Sequence, residues 1–138
     1  MTADKNQLRF FVDESSLGLG KALAAARKDT IHTGHPLIPE CPLGTPDPEW
    51  IPIVAEKALV VIGRDKKIRT RPAELQAIKE AGLRVFLIGG KGDLPTWDWL
   101  TRIVRAWPTM EAIIEERPDG PWIYVINAHG LVEVKLLS

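Results

Sequence analysis

Apolar residues along this chain fall into two rhythms: short β-branched or aromatic runs, and stretches in which apolar positions recur every three or four residues. The first marks strands and the second amphipathic helices. Leu8 to Val12 predicts a strand that runs straight into Asp13-Glu14-Ser15-Ser16, polar side chains suited to capping a helix. That helix is expected over Leu17 to Lys28, with Leu17, Ala22, Leu23 and Ala26 on one face and Gly18 and Gly20 weakening its first turn. Thr30 to Thr33 reads as a short second strand. Prolines at 36, 39, 42, 46 and 48 exclude regular structure between Gly34 and Pro48, leaving a long loop of the kind that commonly carries function.

In the second half, Asp47 at the cap and Pro48 in the first position start a helix that continues to about Lys57. Ala58 to Gly63 is a near-continuous apolar run, as expected of a central parallel strand covered on both faces. Pro72 to Ala81 predicts a helix stopped by Gly82, and Leu83 to Ile88 a further strand leading into Gly89-Gly90. Trp97, Leu100, Ile103, Val104 and Trp107 give a helix over Leu94 to Arg105, with a second helical piece from Thr109 to Glu116 after Pro108. Helical spacing puts Trp97 and Trp107 in a core or an interface, while Trp50, beside Asp47, is a candidate platform for stacking a base. Trp122 to Ile126 and Leu131 to Leu136 form a terminal hairpin, joined by Asn127-Ala128-His129-Gly130 with glycine at a left-handed position.

Strands alternating with helices and closed by a hairpin predict an α/β sandwich around a mostly parallel sheet, one domain spanning 1–138. At this length roughly two thirds of the extended chain's surface can be buried without disulfides. Eighteen basic residues balance eighteen acidic ones, which excludes a uniformly basic coat for nucleic acid but permits a local basic face. Cys41 stands alone, so neither an intrachain disulfide nor a thiolate zinc cluster is available, and a reducing compartment follows. The apolar runs are too short to span a bilayer, which places the chain in the cytoplasm with no membrane partner.

In open α/β sheets, sites form outside the carboxyl ends of the strands. That rule selects Asp13 after the first strand, Asp65 after the strand ending at Gly63, and Asp47 at a helix N-terminus able to face the same edge. Three converging carboxylates repel one another unless a cation compensates, and hard oxygen donors select Mg²⁺ or Mn²⁺. Beside Asp65 the run Arg64, Lys66, Lys67, Arg69 and Arg71 offers a surface for a phosphate backbone.

Arg9-Phe10-Phe11-Val12-Asp13-Glu14, Thr45-Pro46-Asp47-Pro48-Glu49-Trp50 and Leu59-Val60-Val61-Ile62-Gly63-Arg64-Asp65-Lys66 together resemble the three acidic motifs of PIN-like nucleases. They are most similar to the compact branch used as toxins in VapBC-type toxin-antitoxin pairs, and the resemblance spans positions 8 to 93. It implies a PIN-like three-layer sandwich and a metal-dependent endoribonuclease, with Asp13, Asp47 and Asp65 holding Mg²⁺ or Mn²⁺ for hydrolysis of a phosphodiester. A fourth acid is expected; Glu14, Glu49 and Asp93 all qualify, and Glu14 is carried forward beside its alternative role as a cap or ion-pair residue. RNA is the implied substrate, and a protein antitoxin or a second copy of the chain is expected to cover the C-terminal hairpin.

Other motifs fall short. Ser15 to Ala22 follows a strand and precedes a helix, yet lacks the first glycine and the Ser/Thr of a P-loop. His32, His35 and Cys41 lack a fourth ligand at zinc spacing and read as loop residues. A phospho-acceptor receiver domain also places acids at strand ends, but needs a hydroxyl residue after the next strand and a Lys-Pro, both missing here. A PIN-fold binding module without activity is the remaining alternative.

Overall fold

The computed structural model describes residues 7–64, 71–90 and 94–136. In chain order the elements are β1 (Phe10–Val12), α1 (Leu17–Ala26), β2 (Thr30–His32), α2 (Asp47–Glu56), β3 (Val60–Arg64), α3 (Pro72–Ala81), β4 (Arg84–Ile88), α4 (Thr96–Glu116), β5 (Trp122–Asn127) and β6 (Gly130–Val134). A three-residue 3-10 turn, Glu14–Ser16, links β1 to α1. The strands form one sheet in the order β2-β1-β3-β4-β5-β6, parallel from β2 through β5 and antiparallel only at β6.

Alternation along the strands divides the core into two. Phe11, Val61, Val85 and Ile123 face α2 and α3 with Trp50 and Ile78. Phe10, Ile62, Phe86 and Trp122 face α1 and α4 with Leu19 and Ile103. The result is the three-layer α/β sandwich expected, with a C-terminal antiparallel hairpin. The chain runs from β1 outward to β2, then returns past β1 to β3. The β1/β3 junction is therefore the topological switch point, where the loops part and leave a crevice.

Several local expectations are corrected. Helix α4 is one unbroken helix of 21 residues that includes Pro108. Proline costs a helix interior about 3 kcal/mol, but burying each large apolar side chain returns about 2 kcal/mol, and Trp99, Ile103 and Met110 lie on one buried stripe that crosses the proline. Pro108 itself is exposed, so the carbonyl it frees can meet water. Trp107 packs at 4.7 Å from the Phe10 ring, whereas Trp97 is 73% exposed and stays out of the core.

Ala58 does not begin a strand. It adopts φ 56°, ending α2, and β3 starts at Val60. Pro46 is the N-cap of α2 and Asp47 its first residue, so the helix starts one position earlier than the sequence suggests. Ala128 and His129 alone make the hairpin turn, because Gly130 pairs with Asn127 as the first residue of β6. Gly20, which weakens a helix in isolation, lets α1 approach the sheet: a Cβ there would sit 2.8 Å from that of His32 and 3.1 Å from that of Val12. The proline-rich loop is tied down by consecutive turns, Gly34 N donating to Cys41 O at 2.8 Å and Ile38 N to His35 O at 2.9 Å, with Ile38 and Cys41 fully buried. Among the described residues, no helix is long and apolar enough to cross a membrane.

Candidate active site at the switch point

Asp13 continues the β1/β3 pairing one residue past the strand, its amide donating to Ile62 O at 3.0 Å. Its extended backbone makes it the N-cap of the 3-10 turn, and Oδ1 accepts from both the amide and the hydroxyl of Ser15. The other oxygen lies over Gly63, where a Cβ would come within 2.7 Å of it. Glycine in the middle of an otherwise apolar strand thus makes the space the carboxylate occupies. Burial pushes the Asp13 carboxyl up to about 6; the Ser15 hydrogen bonds pull it down, and the charges of Asp47 and Glu14 push it further up.

Asp47 and Glu14 share a cleft of about 390 Å³ with Asp13. Asp47 opens α2, where an acid complements the helix dipole, and its Oδ1 accepts from the Trp50 indole N–H at 2.8 Å. Trp50 is only 4% exposed and packs at 5.3 Å from the Phe11 ring. It is a buried post that orients Asp47, and no face is open for stacking a base. Glu14 accepts a hydrogen bond from the amide of Gly44, tying the end of the proline-rich loop to the cleft. Glu49 stays exposed on α2 and does not line this cleft.

Arg64 and Arg71 supply the positive side of the cleft. The Arg64 guanidinium lies 4.6 Å from the centroid of Trp99, which reaches the site from α4, and its backbone N–H donates to Ser15 Oγ at 3.4 Å. Arg71 is 3.7 Å from Glu74 in the first turn of α3, so part of its charge is met locally. Asp65, Lys66, Lys67, Arg69 and Asp93 lie outside the described residues. Among the described residues no three His, Cys, Asp or Glu side chains are grouped closely enough to hold a metal by themselves. His32 and His35 stack edge to face at 5.1 Å, and the His35 ring accepts from the amide of Leu37 at 3.0 Å, a local loop contact.

The PIN-like domain family matches residues 8–90, more than half of the chain and all of the elements that build this cleft except Trp99. The chain belongs to that family. A PIN-like domain is a nuclease-type fold, and here its acidic cleft sits at the sheet's switch point. No curated protein and no solved structure matches the chain.

Three contributors to this PIN-like site escaped the sequence reading. Ser15, two residues after an aspartate, has the spacing of an Asx turn, and Gly63 interrupts a β-branched run, so both carried a local signal. Trp99 carried none, since its meeting with Arg64 depends on how α4 crosses the sheet.

Proposed function

We propose that this chain is a Mg²⁺- or Mn²⁺-dependent endoribonuclease, one domain over 1–138, acting in the cytoplasm as the toxin of a toxin-antitoxin pair. The observation that carries the reading is Asp13: a half-buried carboxyl at the switch point, pushed up to about 6 in a cleft shared with a second aspartate and two arginines. Anions crowded in this way create a demand for a cation, and carboxylate oxygens are the hard donors Mg²⁺ and Mn²⁺ prefer. Asp13 and Asp47 fit that role, and Asp65, the residue following Arg64 at the end of β3, is the third ligand of the proposal. Glu14 is the auxiliary acid, though its tie to Gly44 already gives it a structural task. A bound ion supplies charge neutralisation at phosphorus and an acidified water.

The chain's own residues do the rest. Asp13 is held in one orientation by Ser15 and Gly63, and Asp47 by the Trp50 indole. Arg64, braced against Trp99, can pair with a phosphate oxygen, and Arg71 adds its charge to the same cleft, while Lys66, Lys67 and Arg69, which follow Arg64 in sequence, are the further cations the proposal assigns to the flanking backbone. The toxin role rests on the similarity of the three acidic motifs to the VapBC-type branch. Edge strand β6, with Val132 exposed, is the surface where an antitoxin or a second copy would add.

Purified chain incubated with a mixed RNA pool and Mg²⁺ or Mn²⁺ should cut it, and Asp13→Asn, Asp47→Asn and Asp65→Asn should each abolish cutting while remaining folded. Cleavage by any two of those variants at the wild-type rate would defeat the nuclease reading and favour a binding module. For the toxin role, expression of the wild-type chain should arrest growth and Asp13→Asn should not.

A further inference from the structure

A second groove opens on the same edge of the sheet. It lies between α4 and the β5–β6 turn, has a volume of about 510 Å³, and is larger than the acidic cleft. Its walls are polar and cationic: Arg102 and Arg105 from α4, Thr101 and Thr109 on either side of them, and Asn127 and His129 from the hairpin. Asp98 is the one carboxylate among its lining residues, while Ala106 and Leu131 give it an apolar floor. Most of the lining residues are exposed, so it is a trough open to solvent and suits a chain laid along it.

The two sites are connected. Parallel strands β1, β3, β4 and β5 all end on this edge, so Asp13, Arg64, Gly89 and Asn127 follow one another across it. At about 4.8 Å per strand, the end of β5 lies about 10 Å from that of β3. Trp99 bridges the gap: the Arg64 guanidinium lies 4.6 Å from its centroid and that of Arg102 5.6 Å. Arg102 is fixed further by donating to Gly89 O at 2.5 Å, which leaves other guanidinium N–H groups for the groove. Arg105, one turn on, is exposed and makes no ion pair among the described residues.

We infer that this trough is the track for the substrate strand beyond the cleavage site, with Arg105 and His129 contacting the backbone of single-stranded RNA. The inference rests on the nuclease reading and extends it to residues outside the matched family segment. The Thr101 hydroxyl already donates to Trp97 O at 2.8 Å, but an apolar helix would still leave Arg105 and the remaining Arg102 donors unmatched in this groove, whereas the phosphates of a phosphodiester chain pair with both.

The test uses the full chain carrying Asp13→Asn, so that RNA is bound and left intact, and a fluorescent twelve-nucleotide RNA read by anisotropy across a salt series. Adding Arg105→Ala should weaken binding about fivefold at low salt and reduce the slope of log K against log salt by about 0.7, the value for one phosphate contact on a single strand. Arg105→Lys should restore the slope, and His129→Ala should weaken binding in the same direction. Unchanged affinity and slope in both alanine variants, with the parent binding well, would overturn the groove and leave the acidic cleft standing. A parent that binds no RNA at all would overturn the nuclease reading with it.

Discussion

Replacing Asp13 by asparagine should stabilise this protein at neutral pH, and the gain should vanish in acid. The carboxyl is raised from 3.8 to about 6, chiefly by burial, so the folded state holds its proton more tightly than the unfolded chain does. The stability this group contributes is therefore complete below pH 4 and is lost as pH rises through 6. Raising a carboxyl that far is worth about 3 kcal/mol, an upper bound for the gain from asparagine, because the Ser15 donors bind a carboxylate better than an amide. For a chain of this size, 1 kcal/mol moves the melting temperature by about 3–4 °C, so in EDTA at pH 7.5 the variant should melt about 4–10 °C above wild type. At pH 4 the two should melt together. Mn²⁺ at a hundredfold excess over its dissociation constant should raise the wild type by about 2.7 kcal/mol and close most of the neutral-pH gap. Equal melting at pH 7.5, or a gap that persists unchanged at pH 4, would refute the assignment of strain to this carboxylate.

Gly63→Ala should place a methyl group 2.7 Å from Asp13 Oδ2, cost about 1–3 kcal/mol by chemical denaturation and lower cleavage severely; full activity would show that the carboxylate does not depend on that space. Trp50→Phe keeps the ring on Phe11 but removes the N–H that holds Asp47, so it should cost about 1 kcal/mol or more and weaken Mn²⁺ binding, measured by calorimetry, with the fold retained. Replacing Lys67, Arg69 and Arg71 together by alanine should flatten the salt dependence of RNA binding by about 2 in log–log slope while base preference is unchanged, and an unaltered slope would remove this run from the substrate path.

Elements with a strong local signature were legible from sequence. The Pro72 start and left-handed Gly82 stop of α3 depend on a few neighbouring residues, as do the apolar runs of β3 and β4. The placement of Asp13 at the edge shared by β1 and β3 also followed, because a strand ending in an acid needs only topology to bring it there. What stayed hidden is tertiary. Pro108 reads locally as a break, yet the stripe from Trp99 to Met110 outweighs it once the sheet is present to be covered. Trp50 beside an acid reads as a stacking platform until Phe11 covers its ring, and the Trp99 bridge joins residues 35 apart in sequence whose meeting no local pattern encodes.

The chemistry of the cut ends tests the proposed function most directly. Hydrolysis by an acidified water leaves an ordinary phosphate on one side and a hydroxyl on the other, whereas attack by the neighbouring 2′-hydroxyl leaves a cyclic phosphate. End-labelled RNA should be cut by the wild-type chain in Mn²⁺, left intact in EDTA and cut again when Mn²⁺ is restored, always with acyclic ends. Cyclic phosphate ends, or cutting that continues in EDTA, would contradict a carboxylate-held metal at Asp13, Asp47 and Asp65.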